Sequence, residues 1–100
     1  TSTQAWDGYY FRWDKLPDLR LWLGIYWDSA HQIAFVVNDS GKLPAPDAKE
    51  LYFDRTPYKN IRLKKDFQKM HFFSLPITEQ LDQLERFIRQ CLQLISPLIS

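Results

Sequence analysis

Two segments sixteen residues apart share the spacing W-x-G-x-Y: W-D-G-Y-Y, with Trp6, Gly8 and Tyr10, and W-L-G-I-Y, with Trp22, Gly24 and Tyr26. Both are rich in aromatic residues and alternate in the way a strand requires. Residues 6–13 place Tyr9, Phe11 and Trp13 on one side and Trp6, Gly8, Tyr10 and Arg12 on the other. Residues 19–27 place Leu19, Leu21, Leu23, Ile25 and Trp27 against Arg20, Trp22, Gly24 and Tyr26. A strand pair with two apolar faces needs cover on both. That requirement constrains the fold more than any other feature of the chain.

Between the two segments, K-L-P-D at residues 15–18 interrupts the alternation, because Pro17 fixes its own φ and biases Leu16 away from helical geometry. A hairpin follows, and two registers keep its faces matched. One sets Gly8 opposite Gly24 and Arg12 opposite Arg20. The other, slid by two residues, pairs Asp14 with Arg20, lays Tyr10 over Gly24 and lays Tyr26 over Gly8. Opposite-charge pairs and aromatic cover of strand glycines each stabilise a sheet, so the second register is the expected one.

Asp28 to His31 reads as a turn and residues 33–37 as a third strand, ended by N-D-S-G at residues 38–41. These three strands form a meander. Residues 42–47, with two prolines, form an extended loop. Residues 48–54 fit either a helical turn capped by Asp47 or a short strand. Residues 60–65 alternate Ile61 and Leu63 with Arg62 and Lys64, giving a strand with a basic, solvated face, and residues 70–75 read as another short strand. From Thr78, Leu81, Leu84, Ile88, Cys91, Leu92 and Ile95 recur at spacings of three and four, with Glu79 in the first turn, until Ser96-Pro97 stops the helix. The expected class is α+β: an antiparallel meander sheet of four to five strands with one C-terminal amphipathic helix packed on one face.

One hundred residues make a single domain spanning 1–100, large enough for one core. A chain beginning with Thr1 is consistent with a domain cut from a longer one. Net charge is +1, which excludes a strongly basic nucleic-acid binder and makes any electrostatic recognition local. The single cysteine, Cys91, falls in the apolar helical pattern, which points to a buried thiol and a cytoplasmic setting. No signal-peptide pattern and no run of about 18 apolar residues is present, so no membrane association is expected. Aromatic residues reach 16%, with four Trp, five Tyr and seven Phe. That excess calls for an explanation beyond a core.

Catalytic signatures are weak. Asp28, Ser29 and His31 are the residue types of a triad but sit in one turn, whereas a triad needs separate supports. Cys91 lies among Leu84 and Leu92, where packing explains it. The histidines, His31 and His71, are forty residues apart with no short-spaced ligand set, and Pro46-Asp47-Ala48-Lys49 holds a nuclease-like carboxylate and lysine in a loop instead of a strand. Three glycines form no phosphate loop. The expectation is no enzyme, no metal and no cofactor.

Two binding readings are left. The leading one is a non-catalytic interaction domain that binds a partner protein, a neighbouring domain or itself through Trp6, Tyr10, Trp22 and Tyr26, with Arg20 at the rim. Trp, Tyr and Arg are enriched at interface hot spots. The alternative is a nucleic-acid-binding or accessory domain using Lys59, Arg62, Lys64 and Lys65, beside Tyr58 and Phe67. A carbohydrate-binding aromatic platform ranks third and a small hydrolase last. The aromatic face is covered either by residues 51–53 folded back over it or by a partner.

Overall fold

A computed structural model of the chain describes residues 6–26, 32–67 and 71–99. Five strands, β1 (Trp6–Trp13), β2 (Leu16–Tyr26), β3 (Gln32–Val37), β4 (Tyr52–Arg55) and β5 (Ile61–Lys65), are followed by one helix, α1 (Ile77–Ile95). They form a single antiparallel sheet in the order β1-β2-β3-β5-β4, and the fold is α+β. The first three strands form the expected meander. The last two exchange places, so that β5 is interior and β4 is the edge. The turn expected at Asp28 to His31 lies outside the described residues, as does Trp27.

The hairpin does not adopt the expected register. Gly8 faces Gly24, Tyr10 faces Trp22 and Trp6 faces Tyr26, so neither Tyr10 over Gly24 nor Tyr26 over Gly8 occurs. The reason is the size of one ring. The Trp22 indole lies over both glycines: a Cβ at Gly8 would overlap the ring and the Leu23 carbonyl oxygen, and one at Gly24 the ring and the Asp7 carbonyl oxygen. The ring needs two adjacent positions without side chains, and only this register supplies them. The like-charge pairing of Arg12 with Arg20 is avoided because the register shifts between Phe11 and Trp13. Arg12 then donates to the Pro17 carbonyl at 3.0 Å. The turn itself is Asp14-Lys15, and β2 begins at Leu16 with Pro17 in its irregular part, as edge and bulge positions allow.

One face of the sheet packs on the helix. Leu21, Ile33, Phe35, Val37, Ile61 and Leu63 meet Phe87, Cys91 and Ile95 in one buried core. Phe87, three residues after Leu84 and four before Cys91, joins the stripe and is fully buried, while Leu81, counted in it, is 61% exposed. The helix begins at Ile77, directly after Pro76, one residue ahead of Thr78. The strand expected at 70–75 is contradicted over its described part: Phe72–Ser74 is a 3-10 turn entered through His71 at φ 53. The turn brings Phe72 to 4.9 Å from Phe67, which lies 5.5 Å from Phe87, both edge-to-face. Three aromatic edges gain more from that cluster than a strand could give them.

Residues 48–54 resolve into a turn, with the Leu51 amide donating to Ala48, followed by β4. Leu51 is buried in the helix-side core and does not cross to the aromatic face. The loop before it is anchored by Asp39, whose carboxylate accepts the Ile61 amide at 3.1 Å, the Leu43 amide at 3.1 Å and the Arg55 guanidinium at 3.2 Å. Arg55 also donates to the Leu43 and Lys59 carbonyls, both at 2.7 Å. A fully buried carboxylate is tolerated here because both of its oxygens accept hydrogen bonds and one of the donors is the Arg55 cation.

Two stability tests follow. Asp39→Ala leaves two backbone donors and Arg55 without their acceptor and lowers unfolding free energy by about 3 kcal/mol in urea titration. Gly8→Ala destabilises by about 1–3 kcal/mol through overpacking against the indole. In a Trp22→Ala background the same substitution costs less, the overlap with the Leu23 carbonyl remaining, and full additivity in that cycle counts against the ring-over-glycine contact.

Candidate functional site

The face of the sheet away from the helix carries Tyr10, Trp22, Arg62 and Lys64, drawn from both binding readings. Tyr10, Trp22, Val36, Arg62 and Asp54 are successive cross-strand partners, a single row running from one edge to the other. Beside it runs a row of small residues, Gly8, Gly24 and Ala34, continued by Lys64 and Tyr52. Trp22 leans from the first row onto the glycines of the second. It is 6% exposed, forms a small second core with Ala34 and Val36, and is braced by Tyr26 edge-to-face at 5.5 Å.

The expected aromatic residues therefore differ in role. Trp22 is the floor of the face, not its contact surface. Tyr26 is half-buried beside it. Tyr10 stands out at 60% exposed, and the Arg20 guanidinium sits over its ring at 5.1 Å, a cation–π arrangement that fixes both side chains. Trp6 pairs with Tyr26 at the end of β1.

The four basic residues of the alternative reading are not gathered on one surface. Arg62 and Lys64 lie on this face, but both are drawn to Asp54. Arg62 Nε and Nη2 donate to the two carboxylate oxygens at 2.7 and 2.5 Å, and Lys64 Nζ is 3.6 Å away. Arg62 also lies over the Tyr26 ring at 5.2 Å. Lys65 is on the opposite face, across from Ile33 and over the Phe67 ring at 5.6 Å. Lys59 is in the β4–β5 turn at φ 67. The strand is basic in sequence, and in space two of its three cations share the one Asp54 carboxylate.

The hydrogen bonds from Arg62 hold the Asp54 carboxyl below its ordinary value of 3.8; partial burial opposes them, and the charges of Arg62 and Lys64 add to them. Arg62 is raised in turn, first by the bond to Asp54 and then, against burial, by Tyr26. Asp54 was not among the expected site residues. Its importance depends on β4 lying beside β5, which no local pattern announces.

On the helix side, α1 covers the sheet incompletely. An opening of about 660 Å³ lies between β1–β2 and the first turns of α1, lined by Tyr9, Leu23, Ile25, Phe73 and Leu84 among others. Tyr9 stands at its rim, 83% exposed. Burial pushes the Cys91 thiol up and out of the range in which it would ionise, so it is an unreactive core group. Among the described residues, no three His, Cys, Asp or Glu side chains cluster as a metal site would require, and no helix is long and apolar enough to cross a membrane.

Comparisons with protein-family models, with curated proteins and with solved structures found no match to the chain.

Asp54 yields a pH test. Its folded pKa is lowered, so its contribution to stability is present above the ordinary carboxylate value of 3.8 and is lost as pH falls below it. In urea titrations from pH 6 downward, Asp54→Asn shows a shallower loss of stability below about pH 4 than the native chain. Equal slopes would mean that the Arg62 contact is not made in solution.

Proposed function

We propose that this chain is a non-catalytic interaction domain that binds a protein partner through the β1 side of its aromatic face. The observation that carries the reading is Tyr10: a mostly exposed ring on a strand, clamped by Arg20 and standing beside the buried Trp22 and half-buried Tyr26. A rigid aromatic side chain with an arginine already in place loses little freedom on binding, which is why Tyr and Arg concentrate at hot spots. Arg12 and Arg20 are both exposed on that side, and Trp6 belongs to the same strand. Trp22 supports the site from below.

The basic strand lends less support to nucleic-acid binding, since Arg62 and Lys64 already share Asp54. A phosphate backbone would have to compete with that carboxylate for two of the four cations. The aromatic face needs no such exchange.

The test is a photo-crosslinking amino acid at Tyr10, used in cells that express the chain. The expected result is a discrete crosslinked protein product, diminished at least fivefold by Arg20→Ala. The same amino acid at the exposed helix position Gln93 gives none. Products of equal intensity from both positions, or none from Tyr10, would overturn the reading.

A further inference from the structure

We infer that β1 is a docking edge for an extended segment of a partner protein, one that alternates carboxylate with bulky apolar side chains and adds to the sheet as a further strand. The inference rests on the interaction reading above and names the chemistry of its partner. Among the described residues, no strand pairs with the outer side of β1. An unpaired edge presents a row of backbone N–H and C=O groups, and another extended backbone is what satisfies such a row. The two edges of the sheet contrast. β4 has four residues, two of them charged and held in ion pairs, the usual protection of an edge. β1 has eight residues, with neither lysine nor proline among them, and its central stretch from Gly8 to Phe11 is uncharged.

Side chains of an added strand fall alternately on the two faces of the sheet, and the two faces beside β1 differ in chemistry. On the face away from the helix stand Tyr10, Arg12 and the guanidinium of Arg20, which starts on β2 and is carried toward the edge by its place over the Tyr10 ring. Arg12 donates one N–H to the Pro17 carbonyl. Neither guanidinium is ion-paired with a carboxylate among the described residues, Asp14 and Asp18 included, whereas Arg55, Arg62, Arg86 and Arg89 each are. Two cations without a counter-charge at one exposed edge select an acidic segment and disfavour a basic one. On the helix side, the opening of about 660 Å³ lies behind Tyr9, with Leu23, Ile25, Phe73 and Leu84 in its lining. Ile77 and Leu81, in the same turns of α1, are exposed as well. Bulky apolar side chains suit that side, so the fitting segment carries acids and apolar residues with the period of two that a strand imposes.

The experiment titrates the purified chain into a fluorescein-labelled peptide of about ten residues that alternates Glu with Phe, followed by fluorescence anisotropy. The expected result is saturable binding. The same peptide with Lys in place of Glu, or with Ala in place of Phe, binds at least tenfold more weakly, and N-methylation of its backbone amides abolishes binding. Arg12→Glu/Arg20→Glu reverses the order of the Glu and Lys peptides, a result that misfolding could not produce. When the Glu peptide binds, β1 amides gain protection from hydrogen exchange and β4 amides do not. No binding up to about 1 mM, equal affinity for the Glu and Lys peptides, or protection at β4 in place of β1 overturns strand addition. A mass above 12.0 kDa in sedimentation equilibrium, with β1 amides already protected before peptide is added, puts a second copy on the edge and overturns it too. If the peptides fail while Tyr10 still gives the Arg20-dependent crosslink to another protein, strand addition fails and the interaction reading stands. If that crosslink is lost as well, both fail.

Discussion

The Trp22 indole lying across Gly8 and Gly24 is the contact on which the arrangement of this sheet depends. A ring of that size on a pleated surface displaces what its neighbours would otherwise carry. The two glycines make room for it, and they can do so only when they face each other. Register between β1 and β2 is thereby fixed, and with it the placement of Tyr10 opposite Trp22 and of Tyr9 opposite Leu23. Because β2 also pairs with β3, the same contact brings Ala34 and Val36 under the aromatic group and completes a second small core. The outer face needs no covering loop for its tryptophan.

Two aspartates do comparable work for the other half of the sheet. Asp39, buried at the end of β3, gathers the Leu43 amide, the Ile61 amide and Arg55, joining loop, β4 and β5 at one point. Asp54 sits in the middle of short β4 and takes up the charge of Arg62 and Lys64. Two cations of the strand that looks most suited to a phosphate backbone are engaged by Asp54, while Tyr9 and Tyr10 at the opposite edge are exposed.

Much of the architecture was legible because it rests on local periodicity. The alternation in residues 6–13 and 33–37, the basic alternation near residues 60–65 and the three-and-four spacing before Pro97 each marked an element correctly. The aromatic face was legible too, down to Tyr10 and Arg20 sharing it. Illegible were the roles within it. Trp22 reads as a contact residue in sequence and is a floor in space, because only the opposed glycines reveal where its ring can go. The 70–75 segment alternates acceptably for a strand, yet the Phe67–Phe72–Phe87 cluster outweighs that pattern. Leu81 fits the helical stripe but lies where the sheet no longer backs the helix.

The sequence by itself determined the α+β class, the first three strands in meander, the single helix and the doubled apolar character of β1 and β2. Those follow from side-chain direction, which repeats every two residues in a strand and about every 3.6 in a helix. Only the tertiary structure decided that β5 enters between β3 and β4, that Gly8 meets Gly24, and that Asp54 lies between Arg62 and Lys64. Each of these depends on which distant segment lies alongside. Ring volume and charge pairing settle that choice, and neither leaves a local periodicity to read.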